Sequence, residues 1–291
     1  MKSAERGILS SHDYRKNSTR ILIAIMSIVI IVMVLSMLYP IAVTFLNSFK
    51  TVVDVNSFPP KLLPREWVVS SNYQEAWNFL NLPLFMRNSL YIFAGNLVVT
   101  VLVLGGAAFA LSKLNLPLRK LIFFFFLTTL FIPPSTYIVP NFVNLKDLGL
   151  MNSFFALWLP AGASAFNMLL LKSFFDDINN EIFEASRIDG ASNWYAFSRI
   201  ALPLSLPIIS TLAIFLFSSA WNDWFWPSLI MHGDPHYPVA TAIYKQVIAA
   251  RGLKLNVKFA ILSMVAIPPM IIFLVFQRFI MRGLHLGGVK G

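Results

Sequence analysis

Six long apolar blocks, at 21–45, 89–111, 121–142, 154–175, 204–231 and 259–280, constrain this chain more than any motif it carries. A helix needs about 20 mostly apolar residues to cross a hydrocarbon core of roughly 30 Å. The apolar residues are gathered into blocks of that length rather than spread at the spacing of a soluble core. With 57% hydrophobic and 12% charged residues, the chain carries about half the charge of an ordinary soluble domain. The solvent for much of it is lipid. The expected fold is all-α: a polytopic membrane protein with six transmembrane helices, organised as one domain over 1–291, with tails at 1–20 and 281–291.

Two blocks are interrupted. Pro133, Pro134 and Pro140 fall in the third, and Pro160 and Gly162 in the fourth. Broken helices are tolerated where neighbouring helices or water cover the freed carbonyls, so these two are expected to face protein or a pathway; a simple proline kink is the plainer reading of each. The first block is longer than the apolar core of a secretory signal, has no small-residue cleavage site and ends in Tyr39-Pro40. No cysteine is present, which excludes disulfides and thiolate metal sites.

The net charge of +10 would suggest nucleic acid in a soluble protein, but here the basic residues sit beside apolar blocks and report orientation instead. Lys2, Arg6, Arg15, Lys16 and Arg20 precede the first block, and Lys113, Arg119 and Lys120 crowd the short second connection. Lys172, Arg187, Arg199, Arg278, Arg282 and Lys290 fall on the same side, while the basic residues of the opposite side are spread over longer loops. Both termini are therefore expected in the cytoplasm of a cell whose cytoplasmic membrane this chain crosses several times. On the outer side, 51–87 contains an amphipathic stretch at 72–80, and 232–258 begins with a turn and continues as an expected helix at 241–250.

The connection 176–203 is the most informative segment. Asn179 or Asn180 can cap a helix whose first turn carries Glu181 and Glu184, where carboxylates meet the positive end of the helix dipole. Gly190 suits the left-handed residue that ends it, Ser192 can cap a second short helix, and Pro203 begins the next span. Ile182, Phe183, Ala185 and Ile188 would offer apolar contact. By itself this describes a tidy cytoplasmic loop.

The literal string is more specific. Glu184-Ala185, then Asp189-Gly190-Ala191, then Ile200, Leu202-Pro203, Ser205 and Pro207 resemble the Glu-Ala-Ala loop of bacterial ABC importer permeases, with Ser186 where a second alanine often stands. The likeness covers nearly the whole chain and is nearest the maltose-type G subunits of the sugar-uptake branch. It includes Pro40 with Ser48-Phe49-Lys50, Asn72-Tyr73, Asn88-Ser89, Ala108 and Ala110 with Lys113-Leu114, Ile132-Pro133 and Pro140. It continues through Leu148-Gly149-Leu150 with Asn152-Ser153, Ala220-Trp221-Asn222-Asp223 with Trp226-Pro227, and Phe276-Gln277-Arg278 with Arg282-Gly283-Leu284 and the tail 287–291.

That resemblance implies a type I ABC importer permease fold in which 176–203 carries a coupling helix. Glu184, Ala185, Ser186, Arg187, Asp189, Gly190 and Ala191 would seat in a separate ATPase, the tail 287–291 would touch it as well, and the partner would bind ATP and its magnesium. It implies a second, homologous permease subunit, an ATPase dimer and an extracytoplasmic binding protein that delivers a carbohydrate, a di- or oligosaccharide. The segment 232–258 would reach toward that binding protein. Import of a non-sugar solute is the alternative within the family; an ion-coupled secondary transporter is the alternative outside it, but neither the inverted repeats nor the mid-membrane charges usual there are evident in this sequence.

No G-x-x-x-x-G-K-[ST] string and no Ser/His/Asp or Cys/His arrangement occurs, so neither nucleotide binding nor catalysis is assigned to this chain, and no cofactor. His232, Asp234 and His236 flank a proline turn too tight for three ligands to converge, and no metal is assigned. Asp223, with Trp221 and Asn222, is the one carboxylate within an apolar block. Intramembrane ionisable groups mark pathways, and aromatic faces with polar neighbours suit sugars. Its place near the end of the block, among Trp221, Trp224 and Trp226, also fits an interfacial aromatic belt.

Overall fold

The computed structural model describes residues 17–286; the basic residues Lys2, Arg6, Arg15 and Lys16 and the tail 287–291 lie outside the described residues. All regular structure among the described residues is helical. Three helices are long and apolar enough to cross a membrane: Asn17–Ser48, Leu82–Lys113 and Leu255–Gln277. Three bent pairs complete a set of six: Arg119–Thr129 with Pro134–Asp147, Phe155–Ala161 with Ala165–Asp177, and Asn193–Leu204 with Leu206–Asn222. Each expected apolar block therefore has a helical counterpart, and the chain has the all-α polytopic fold.

The boundaries differ from the hydropathy reading, for a common reason. Hydropathy reports where lipid begins, whereas a helix runs until a cap or a proline stops it. The second helix starts at Leu82 instead of 89, because Asn81 accepts from the Leu84 N–H at 3.3 Å and Pro83 occupies the first turn. The third block is not one rod: the chain breaks between Thr129 and Pro134 and turns by 95°. In the fourth, Pro160 stays inside a helix, and the 46° bend falls after Ala161, where Ser164 caps the next helix by accepting from Asn167 N–H. The expected fifth span to 231 is shorter than read. Its helix ends at Asn222, and a separate short helix, Phe225–Ile230, follows.

Contacts divide the described chain into two units. One holds the residues up to Ala76 together with Lys254–Ser263. In it, the end of the first span is tied down by side chains. Asn72 donates to the carbonyls of Ser48 and Lys50, both at 2.9 Å, and accepts from Asn256 at 2.8 Å. The Tyr73 and Ser48 hydroxyls lie 2.8 Å apart. Asn72-Tyr73, noticed in the sequence as a string, is thus a clasp on the exit of the first helix.

The second unit holds Trp77–Leu253 and the described residues from Met264 on. Small residues set its helix packing, as expected where lipid supplies no hydrophobic drive between helices. The Trp158 indole packs directly against Gly95, so close that an added Cβ would run into the ring. Near the other end of the same long helix, Leu104, Ala108, Phe109 and Leu111 join Met168, Leu171 and Phe175 in a buried cluster that also takes in Phe183 and Phe197 from the 176–203 connection.

Candidate coupling surface

The 176–203 connection folds as the sequence implies, and local chemistry explains each end. Ile178 is extended; Asn179 then accepts from the Glu181 N–H at 3.0 Å and caps a helix, Asn180–Ile188. At the far end Gly190 adopts φ +82°, a conformation costly for residues with a Cβ. The Gly190 N–H donates to the Arg187 carbonyl at 3.0 Å and the Ala191 N–H to the Ser186 carbonyl at 2.9 Å, the paired bonds of a Schellman stop. Ser192 accepts from Tyr195 N–H at 3.2 Å and starts the next helical segment, which runs through a π-helical stretch, Ala196–Ala201. Pro203 lies within that segment, and Pro207 stands in the first turn of the span proper.

The helix is held by its inner face. Phe183 is buried with its ring 5.7 Å from Phe109, which also meets Phe175 at 6.1 Å and Phe197 at 5.5 Å. Lys113, the last residue of the second span, donates to the Ile178 carbonyl at 2.6 Å and to Asn180 Oδ1 at 2.7 Å, and its ammonium lies 5.4 Å from the centroid of the Phe183 ring. Arg187 donates to the Lys113 carbonyl at 2.9 Å. Nearby, Asp176 accepts from Ser112 and Lys172, each at 2.6 Å. Neither Lys113 nor Ser112 stood out as part of the loop in the sequence; the signal available was the resemblance at Lys113-Leu114.

The structure separates the expected contact residues into two groups. Glu184, Ala185, Asp189 and Gly190 are exposed, with Ile182 and Ile188 beside them; Ile188 is 87% exposed. Phe183, grouped with Ile182, Ala185 and Ile188 in the sequence, instead faces inward. Ser186 is partly covered and donates to the Phe183 carbonyl at 2.8 Å, Ala191 is partly covered, and Arg187 reaches back to the second span. What remains outward is an apolar ridge edged by carboxylates; Trp194, in the segment that follows, is exposed as well.

The second group of expected residues, Trp221, Asn222 and Asp223, does not present one common face. Trp221 is buried with its ring 5.3 Å from Phe217. Asn222 donates back to the Ser218 carbonyl at 2.8 Å. One Asp223 oxygen accepts from the Phe225 and Trp226 N–H groups at 3.2 and 3.1 Å, bridging the break between the span and the short helix. The expected helix at 241–250 exists slightly earlier, as Val239–Ala242 continued by a π-helical stretch, Ile243–Ile248.

Asparagines fix the approach to it. Asn88 donates to the carbonyls of Pro235 and Tyr237 at 2.8 and 3.0 Å, and Ser89 accepts from Val239 N–H at 3.0 Å. Asn152, with φ +57°, donates its N–H to the Ile230 carbonyl at 2.9 Å and accepts from His232 N–H at 3.0 Å.

Residues 102–285 match the family model described as binding-protein-dependent transport system inner membrane component. The chain is 30% identical over 266 residues to the diacetylchitobiose uptake system permease protein of Streptomyces coelicolor, covering 90% of this chain and 87% of that protein. It is 31% identical over 269 residues to the sn-glycerol-3-phosphate transport system permease protein of Pectobacterium atrosepticum, covering 88% and 94%. A polygalacturonan/rhamnogalacturonan transport system permease protein of Bacillus subtilis is 29% identical over 259 residues, with 84% and 89% covered. The fold is similar, at a TM-score of 0.81 and 23% identity, to a chain in the crystal structure of a bacterial ABC transporter involved in the import of the acidic polysaccharide alginate, over 90% of this chain and 98% of that one. This chain belongs to the inner-membrane component family of binding-protein-dependent transport systems.

Proposed function

We propose that the 291 residues act as one transmembrane domain, a permease subunit whose helix Asn180–Ile188 docks into a separate ATPase. The observation that carries the proposal is the division of labour in that helix. Phe183, Lys113 and Arg187 fasten its inner side to the end of the second span, while Ala185 and Ile188 stay exposed beside Glu184 and Asp189. A helix anchored in this way transmits a push from outside to the bundle, and its apolar ridge stays exposed among the described residues. Both termini and the 176–203 loop then lie in the cytoplasm, ATP and magnesium are bound by the ATPase, and a second, different permease completes the pathway.

ATP binding would draw the two coupling helices together and open the bundle to the binding protein; hydrolysis would reverse it. The test is uptake together with ATPase co-purification in Glu184→Lys. Wild-type values for both would end the proposal. Of the expected ATPase contacts, Gly190 acts by shaping the turn and Arg187 by holding the helix. The tail 287–291 adds a further contact, tested by deleting it.

The cargo we propose is a carbohydrate, a di- or oligosaccharide, supported by the saccharide systems among the similar proteins. The similarity to a glycerol-phosphate permease supports a second reading, a small phosphorylated polyol. Binding-protein-dependent uptake of radiolabelled oligosaccharides against glycerol phosphate separates the two. Trp221, Asn222 and Asp223 remain near the pathway in this reading, with Asp223 serving first to cap the broken helix.

A further inference from the structure

The loop that follows the first span is built inside out. Two of its charged residues, Lys50 and Asp54, are buried at 4% exposure each. Lys50 donates to Asn47 Oδ1 at 2.6 Å and to the Lys61 carbonyl at 2.5 Å. Asp54 accepts from the Arg65 N–H at 2.7 Å, with Arg65 Nε 3.5 Å from its other oxygen. The Val68 N–H donates to the Phe49 carbonyl at 2.7 Å, and the Trp67 ring lies 5.7 Å from that of Phe49. The loop is thus closed on itself by polar bonds at its centre.

Several of its large apolar side chains are exposed. Phe58 is 95% exposed and Val53 77%, and Leu62, Leu63 and Trp67 are exposed as well. Buried charges and exposed groups of large apolar side chains are the informative departures from an ordinary water-facing surface. This loop buries Lys50 and Asp54 while leaving several large apolar side chains exposed, and it begins at the end of a helix with no buried residues in its most apolar window. Three of its residues, Pro59, Pro60 and Pro64, carry no backbone N–H and so have no donor to leave unpaired away from water. Lys61 and the Arg65 side chain are exposed among the apolar groups, the pairing of aromatic bodies and basic tips that suits a headgroup layer.

We infer that the segment 53–67 is an interfacial anchor, seated in the headgroup layer at the far end of the first span with Phe58, Leu62 and Leu63 in the acyl boundary. Its occupant is the lipid bilayer itself. Such an anchor fixes the depth and tilt of a first helix whose most apolar window has no buried residues.

The chain has no cysteine, so single cysteines can be introduced at Phe58, Leu62, Leu63 and, as a reference, the exposed Glu66. Nitroxide labels are attached in the assembled transporter, in proteoliposomes of phosphatidylcholine and phosphatidylglycerol, with retained ATP-dependent uptake as proof of folding. The expected result is greater accessibility to oxygen than to a water-soluble nickel chelate at 58, 62 and 63, with the ratio reversed at 66. A ratio favouring the nickel reagent at all four positions makes the loop a water-facing platform for a soluble protein and overturns the inference. Low accessibility to both reagents at 58, 62 and 63 shows cover by another subunit and overturns it too.

Discussion

Lys113 donates from its ammonium to the Ile178 carbonyl at 2.6 Å, so the residue that ends the second span holds the entrance to the proposed coupling helix. Arg187, from the last turn of that helix, returns a bond to the Lys113 carbonyl at 2.9 Å. Between them Phe183 enters the aromatic cluster around Phe109. The helix is fastened at both ends and in the middle to one place on the bundle, as the proposed transmission of a push requires.

Ile188→Glu changes a side chain that is 87% exposed. Its effect on permease stability is expected within about 0.5 kcal/mol, while the ATPase is lost from the purified complex. Thermal stability of the permease and co-purification, measured on the same preparation, check this; an intact complex would contradict it.

Phe183→Ala removes a ring from a closed cluster, with an expected cost of about 3–5 kcal/mol to local packing. The ridge of Ala185 and Ile188 is untouched, so the ATPase should still bind, but its hydrolysis should no longer follow delivery of substrate. Measuring binding-protein-stimulated ATP hydrolysis against the basal rate reads this uncoupling directly.

At Gly190 the obstacle is conformation rather than space, since an added Cβ meets nothing within 4 Å but the backbone stands at φ +82°. Gly190→Asn, which tolerates this region, should retain most uptake, and Gly190→Val should lose it through a strain of about 1–2 kcal/mol concentrated in the turn. Equal uptake by the two variants would show that the turn's geometry is unimportant.

Gly95→Leu places a side chain where the Trp158 ring already lies. Loss of folded protein from the membrane is expected, with partial recovery in the double variant Gly95→Leu, Trp158→Ala. The yield of detergent-stable protein, read by size-exclusion chromatography, decides the matter, and an unimpaired single variant would refute the close contact.

Asp223→Asn keeps an oxygen for the Phe225 and Trp226 N–H groups, whereas Asp223→Ala removes it at a cost of about 0.5–2 kcal/mol. Uptake should survive the first change and fall with the second. Transport abolished in a stable Asp223→Asn variant would instead give the charge itself a place in the pathway.

The division between what was legible in the sequence and what was not follows the range of the physics. The number of spans could be read because hydropathy is local and the thickness of a bilayer fixes the length of an apolar block. The ends of the helix Asn180–Ile188 could be read for a similar reason: Asn179 and Gly190 act on backbone groups within a few residues of themselves. The partners of Lys113, Arg187, Asn88 and Asn152 could not. Each bonds a backbone group of an element remote in the chain, and one carbonyl or amide looks like any other in a sequence. The contact of Trp158 with Gly95 and the inward turn of Phe183 belong to the same class. Only the packing of the helices decides which faces meet, and so which side of the loop remains free for a partner.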